Sequence, residues 1–206
     1  MSHGVIPSRI ADGARGGMAP VARRLAALGV TANTVTFLGF ALSLVGAAFV
    51  AASQPLIALA ILVAGSLCDT LDGALARATG GGTRLGAFLD STFDRLSDGA
   101  FFVAAAAVGA ASDPLLFWSA LAALVASFQV SYVRAKAEQV GLNATVGSAP
   151  REARLVILLI GLGAWALFGP RGLFTAAVLI VAILATVTLI QRVLLVARAL
   201  AVRERN

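Results

Sequence analysis

Charge is scarce in this sequence, and so are the two residue types that most often hold zinc. Charged residues make up 13% of the 206 residues, the hydrophobic share is 59% and the mean hydropathy is +0.92. A soluble domain carries about 25% charged residues. The single Cys, Cys68, excludes an internal disulfide, and the single His leaves no Cys/His cluster that would favour zinc. The composition therefore indicates a polytopic membrane protein.

Apolar runs of about 20 residues, the length that a membrane helix needs, fill most of the chain. We predict an all-α integral membrane protein with six transmembrane helices over residues 34–202, within a single domain of residues 1–206. The predicted spans are residues 34–53, 56–78, 84–111, 114–140, 151–168 and a last one that ends near residue 202.

A short amphipathic segment precedes the first span. Val21, Leu25 and Leu28 recur at helical spacing, with Arg23 and Arg24 on the other side. Residues 19–29 are therefore predicted to form a helix along the cytoplasmic interface. Its basic face is either an anchor that sets topology or a contributor to the site.

The net charge of +6 is concentrated in one alternate set of connections. That set contains Arg9, Arg15, Arg23, Arg24, Arg77, Arg84, Arg134, Lys136, Arg151, Arg154, Arg198, Arg203 and Arg205, whereas the opposite set contains only Arg171. Because cytoplasmic loops are enriched in Lys and Arg, both termini are expected in the cytoplasm, in a multi-pass plasma-membrane protein. Positive charges at the ends of apolar segments argue against nucleic acid as the partner.

Five of the ten acidic residues fall between Cys68 and Gly99, in otherwise apolar surroundings. They form two spaced pairs and one further residue: Asp69 and Asp72, Asp90 and Asp94, then Asp98. Residues three or four apart share a helix face. The two helices are joined by a short glycine-rich turn, so both pairs are predicted to converge at the cytoplasmic end of the bundle.

An ionised Asp at membrane depth costs about 2.5–3.5 kcal/mol on insertion scales. Carboxylates close together also repel each other, so a counter-charge is needed. Their oxygens suit Mg²⁺ or Mn²⁺. Salt bridges from Arg77, Arg84 and Arg95, or the ion path of a cation or proton-coupled transporter, are the alternatives. Helix-end acids beside a Gly/Thr/Arg loop favour a cytosolic phosphate substrate, with Asp98 in a supporting role.

The spacing Asp69-x2-Asp72-Gly73-x2-Ala76-Arg77-x8-Gly86-x3-Asp90-x3-Asp94 resembles the signature of the CDP-alcohol phosphotransferase family. The segments "SRIADGARGGMAPVARRLAALGVTANTVT", "GGGTRLGAFLDSTFDRLSDG", "SYVRAKAEQVGL" and "IQR" further resemble its inositol-phosphate members, the bacterial phosphatidylinositol phosphate synthases. The resemblance implies six transmembrane helices behind an interfacial helix, in a homodimer.

The resemblance also implies roles for individual residues. Two Mg²⁺ ions, or Mn²⁺ in their place, would be held by Asp69, Asp72, Asp90 and Asp94, with Asp94 also the general base. The CDP-lipid contacts map onto Asn33, Thr34, Val35, Thr36, Gly73, Arg77 and Thr83. Where the family has Pro and then Asp, this chain has Ala32 and Asn33.

The acceptor substrate is inferred from basic residues outside the motif. Arg134, Arg151, Arg154 and Arg192 are predicted to bind a phosphorylated acceptor, because guanidinium groups suit phosphate. The expected reaction is transfer of the phosphatidyl group from CDP-diacylglycerol to 1D-myo-inositol 3-phosphate, with release of CMP. Glycerol 3-phosphate is the alternative acceptor, and a CDP-lipid with ether chains is an alternative donor.

Overall fold

Seven α-helices make up the fold in this computed structural model, which describes residues 8–147 and 149–204, with side chains from residue 18 onward. They are α1 (Ser8–Ala27), α2 (Ala32–Ala51), α3 (Pro55–Ala78), α4 (Arg84–Ala110), α5 (Pro114–Gln139), α6 (Arg151–Phe168) and α7 (Gly172–Arg203). No strand occurs within these residues, which confirms the all-α prediction. The predicted charges Arg9, Arg15 and Arg205 lie outside the described side chains.

The helix count and most helix ends agree with the sequence prediction, but the bounds of α1 do not. It begins at Ser8 and ends at Ala27, whereas residues 19–29 were predicted. Pro20 lies inside this helix instead of near its start. The end is set by Gly29, whose φ of +79° is a conformation that favours glycine. The N–H of Val30 donates to the carbonyl of Leu25, which satisfies an open acceptor in the last turn.

Four helices are long and apolar enough to cross a membrane by length and composition, namely α2, α3, α5 and α7. The other two predicted spans contain more charge. Helix α4 carries two of the motif aspartates together with Arg95, and α6 has three charged residues in its first turn: Arg151, Glu152 and Arg154. A membrane protein fold is consistent with this arrangement, while the count of six spans stays a prediction.

The chain forms two compact units, Met1–Ala104 and Ala105–Asn206, and the single-domain interpretation stays a prediction. In the first unit, α1 and α2 both pack against α3. Buried Ala22, Val35, Ala74 and Leu75 form the core of this contact. Farther along α2 and α3 the backbones approach closely, because a Cβ built on Gly39 would lie 3.3 Å from the carbonyl oxygen of Gly65.

In the second unit, α5 and α6 both pack against α7. The rings of Trp165 and Phe174 stack with their centroids 5.4 Å apart. A Cβ on Gly161 would collide with Ala177, so a glycine there lets α6 and α7 approach.

A polar cluster joins the start of α5 to the start of α7. Asp113 caps α5 by accepting a hydrogen bond from the N–H of Leu116 at 3.0 Å, and it accepts a second from the Thr175 hydroxyl at 2.6 Å. Arg171 donates to the Ser112 hydroxyl at 2.9 Å. Burial by itself would raise the pKa of Asp113, but the hydrogen bonds from Thr175 and Leu116 and the charge of Arg171 hold that pKa below its ordinary value.

We expect Asp113→Asn to lower the unfolding temperature in detergent at pH 7 by about 2–4 °C, which is roughly 1 kcal/mol for a chain of this length. A carboxyl with a lowered folded-state pKa stabilises the fold above its unfolded pKa of about 4. That stabilisation is lost as the pH falls through the folded-state pKa. The difference in unfolding temperature between wild type and variant should therefore disappear below pH 4, as measured by thermal unfolding followed by circular dichroism. A gap that stays constant down to pH 3 would contradict the role of the charge.

Candidate functional site

A cavity of about 590 Å³ lies in the first unit, where the ends of α1 and α3 meet the starts of α2 and α4. Its lining includes six of the residues predicted for the site, namely Asn33, Thr36, Asp72, Gly73, Thr83 and Asp90. The motif residues from α3 and α4 are thus brought to one space, together with the start of α2.

Small residues make this cavity. Gly73 and Ala76 from α3, Gly82 from the turn, and Gly86 from α4 all line it. At Gly86 a Cβ would lie 2.9 Å from the Asn33 Oδ1 atom, so a larger residue would displace the Asn33 amide. The motif glycine therefore allows the starts of α2 and α4 to come together at the cavity.

Asp72 is the buried carboxylate of the site, with 8% of its surface exposed. The Thr36 hydroxyl donates to its Oδ2 atom at 2.7 Å, across the contact between α2 and α3. The negative charge of Asp90 acts on Asp72 as well. Within the part of the chain that the structure describes, Asp72 has no ion pair, so its charge is opposed by hydrogen bonding alone.

The other predicted metal ligands do not form a closed cluster with Asp72 in the part of the chain that the structure describes. Asp90 is exposed, whereas Asp69 and Asp94 are half-buried and do not line the cavity. The Oδ1 atom of Asp69 lies beside Gly39, 3.1 Å from where a Cβ would stand. Among the described residues, no group of three His, Cys, Asp or Glu side chains is gathered closely enough to hold an ion. The four-aspartate metal site therefore stays a prediction.

The predicted CDP-lipid residues outside the cavity have other neighbours. Thr34 is exposed, and its N–H donates to the Thr31 hydroxyl at 3.2 Å. Val35 is buried in the core, so its side chain packs inside the protein. Arg77 is exposed on the last turn of α3, and its Nη1 atom lies 3.5 Å from where a Cβ on Gly73 would stand.

Two threonines position the helix starts at the cavity. Thr31 caps α2, and the Thr83 hydroxyl accepts a hydrogen bond from the N–H of Gly86 at 2.9 Å at the start of α4. Thr83 was predicted as a ligand contact, whereas Thr31 was missed. Its signal was present, because Thr is a favoured capping residue directly before a helix.

Three of the four predicted acceptor arginines form a group in the second unit. The charges of Arg134 and Arg154 both act on Arg192. Arg154 is buried and donates to the Ser127 hydroxyl at 2.9 Å, whereas Arg134 is exposed and pairs with Glu138 at 2.9 Å.

Arg192 is held by backbone carbonyls. Its Nε atom donates to Val146 at 2.8 Å and its Nη1 atom to Val130 at 2.9 Å. The fourth predicted arginine, Arg151, is half-buried at the first position of α6, three residues before Arg154. Like charges held together in this way favour an anionic ligand.

Comparison with known proteins gives the family. Residues 29–201 match the family model described as CDP-alcohol phosphatidyltransferase. The chain belongs to the CDP-alcohol phosphatidyltransferase family. The resemblance seen in the motif is thereby confirmed, and with it membership of a family of transferases.

Three relatives within this family show how near the match is. The phosphatidylinositol phosphate synthase of Mycolicibacterium smegmatis is 45% identical over 148 residues, which cover 70% of this chain and 66% of that enzyme. The archaetidylinositol phosphate synthase of Pyrococcus horikoshii is 39% identical over 142 residues, covering 68% of this chain and 73% of that enzyme.

The third relative is known from crystal structures. The phosphatidylinositol phosphate synthase of Mycobacterium tuberculosis in complex with manganese and citrate has a TM-score of 0.80 and 36% identity, covering 87% of this chain and 88% of that chain. The same enzyme with CDP-DAG bound has a TM-score of 0.80 and 36% identity, covering 87% of this chain and 92% of that one.

The two carboxylates that line the cavity, Asp72 and Asp90, are donors of the kind that suits a divalent ion. Asp72 is buried without a cationic partner among the described residues, and Asp90 adds a second negative charge close by. Carboxylate oxygens are the ligands that hard divalent cations prefer.

Proposed function

We propose that this protein is a phosphatidylinositol phosphate synthase, which transfers the phosphatidyl group from CDP-diacylglycerol to 1D-myo-inositol 3-phosphate and releases CMP. The observation that carries the proposal is the cavity in which the motif carboxylates Asp72 and Asp90 meet Asn33, Gly73 and Thr83. The similarity to relatives named phosphatidylinositol phosphate synthase supports the choice of acceptor.

The cavity is proposed as the donor site. Its glycine and alanine walls leave room for a nucleotide, and the Arg77 guanidinium beside Gly73 supplies a positive charge for a pyrophosphate. The Asn33 amide offers a hydrogen-bond donor and an acceptor at the start of α4. Thr34 and Val35 would contact the donor through the backbone at the start of α2, since the Val35 side chain is in the core.

The metal ligands are proposed to be Asp69, Asp72, Asp90 and Asp94, holding two Mg²⁺ ions that Mn²⁺ can replace. When bound, such ions neutralise charge on the pyrophosphate and on the departing CMP. The chain itself supplies the carboxylates, of which Asp72 is held in place by Thr36.

Asp94 is proposed to take the proton from the attacking hydroxyl of the acceptor. The acceptor oxygen then forms a bond to the lipid-side phosphorus, and the bond from that phosphorus to the CMP oxygen breaks. The proton stays on the Asp94 carboxylate until it passes to solvent. Binding and orientation of the two substrates are the remaining tasks of the chain's own side chains.

The acceptor phosphate is proposed to bind the arginines of the second unit, Arg134, Arg151, Arg154 and Arg192. Arg192 keeps its guanidinium in a set orientation through Val130 and Val146, which suits bidentate contact to phosphate.

The membrane setting is proposed from the same features. Six transmembrane helices would carry the site to the cytoplasmic face of the plasma membrane, with both termini in the cytoplasm and the protein as a homodimer. The charge asymmetry of the loops and the family resemblance support this arrangement.

The test is release of CMP by purified protein with Mg²⁺, CDP-diacylglycerol and one acceptor at a time. We expect activity with 1D-myo-inositol 3-phosphate and little with free inositol. Activity with glycerol 3-phosphate alone would show that glycerol 3-phosphate is the acceptor. Activity with an ether CDP-lipid alone would show that the donor is an ether lipid. Ion flux in vesicles without any CMP release would favour the transporter and overturn the proposal.

A further inference from the structure

The Thr36 hydroxyl is directed to another side chain of the protein. Thr36 and Asp72 each have 8% of their surface exposed, and the hydroxyl lies 2.7 Å from the Asp72 Oδ2 atom. The same hydroxyl lies 3.0 Å from the Ala32 carbonyl oxygen. A hydroxyl has one proton to donate. The shorter contact, to an acceptor that carries a charge, is the stronger of the two.

This hydrogen bond links two helices at the cavity. Thr36 belongs to α2 and Asp72 to α3, and Asp72 lines the cavity. With Oδ2 held by Thr36, rotation of the carboxylate is restricted, so the direction in which its oxygens face a ligand is set. The bond also offsets part of the cost of a buried charge that Asp90 repels.

We propose that Thr36 is a positioning residue that orients Asp72 for a divalent ion, in place of the CDP-lipid contact that the sequence predicts for it. This inference rests on the metal site of the proposed function. Side chains that hold a metal ligand in orientation typically change metal affinity about 10- to 100-fold when they are removed.

The test measures Mn²⁺ binding to the purified full-length protein without any CDP-lipid, by electron paramagnetic resonance of free Mn²⁺. Thr36→Val, which keeps the shape and removes the hydroxyl, should raise the Mn²⁺ Kd about 10-fold or more. Thr36→Ser keeps a hydroxyl and should restore a Kd near that of the wild type. Thr36→Ala repeats the measurement with a smaller side chain, should the Val variant fold poorly.

Thr186→Val is the matched control. The Thr186 hydroxyl donates to the carbonyl of Ala182 four residues earlier, as the Thr36 hydroxyl lies against that of Ala32, but among the described residues it has no hydrogen bond to a carboxylate. This variant should leave the Mn²⁺ Kd unchanged.

The outcomes separate this inference from the function itself. An unchanged Mn²⁺ Kd in Thr36→Val and Thr36→Ala, with a raised KM for CDP-diacylglycerol, would overturn the positioning role and restore the lipid contact. A wild-type protein without saturable Mn²⁺ binding would overturn the proposed metal site, and this role for Thr36 with it.

Discussion

Asp94→Asn is expected to lower kcat for CMP release by about 10²–10⁴-fold, the usual contribution of a general base. Asn has nearly the same shape but cannot take the proton of the attacking hydroxyl. Asp94 is half-buried on α4, one turn after Asp90. The measurement is steady-state release of CMP at saturating substrates, with circular dichroism to show that the variant is folded.

Asp98→Asn is the matched control, because Asp98 lies one further turn along the same helix. Loss of a carboxylate there removes the same charge from α4 without removing the proposed base, so kcat should stay within about tenfold of the wild type. Equal losses in the two variants would indicate a general electrostatic effect. Full activity in a folded Asp94→Asn protein would remove Asp94 from the reaction.

Arg192→Ala is expected to raise the KM for inositol phosphate roughly 10- to 100-fold, which is what a charge-assisted hydrogen bond of about 1.5–3 kcal/mol contributes. The KM for CDP-diacylglycerol should change little, because Arg192 is not among the residues proposed to contact the donor. The KM of Arg192→Lys for inositol phosphate should fall between those of the wild type and Arg192→Ala. Lys keeps the charge but lacks the fork that reaches two carbonyls and a phosphate together.

Arg203→Ala is the matched control for Arg192. Arg203 also lies on α7 and also donates to backbone carbonyls, those of Val140 at 3.0 Å and Gly141 at 3.3 Å. If anchoring of the segment after α5 were the whole role of Arg192, both variants would behave alike. A raised acceptor KM in Arg192→Ala alone supports phosphate binding, and a raised donor KM instead would contradict it.

Much of the architecture was predictable because membrane helices follow from local composition. Each needs about 20 apolar residues whatever its neighbours are. The predicted ends of α3 and α6 agree with the structure to within one residue. Helix α1 was the exception, since its Gly-rich start carries little periodic hydrophobicity, and a prediction from that signal begins only at residue 19.

The site, too, has features that the sequence could predict and features that it could not. Fixed spacing places Asp69 and Asp72 on one turn of helix, so the sequence alone predicts that they share a site. The structure brings Asp72 to the cavity but not Asp69, and the shared site stays a prediction. Contacts between helices could not be predicted from the sequence. The partners of Thr36 and Arg192 lie 36 and 62 residues away in the chain, at Asp72 and Val130.

The sequence by itself determined the membrane class, the six helices from α2 to α7, the family and the identity of the motif carboxylates, because each depends on composition or on the spacing of residues along the chain. Only the tertiary structure decided what those residues do to one another. It assigned the Thr36 hydroxyl to Asp72, buried the Val35 side chain in the core, and gathered Arg134 and Arg154 around Arg192. Such pairings depend on how helices pack, and a one-dimensional pattern carries no record of the angle and depth at which two helices meet.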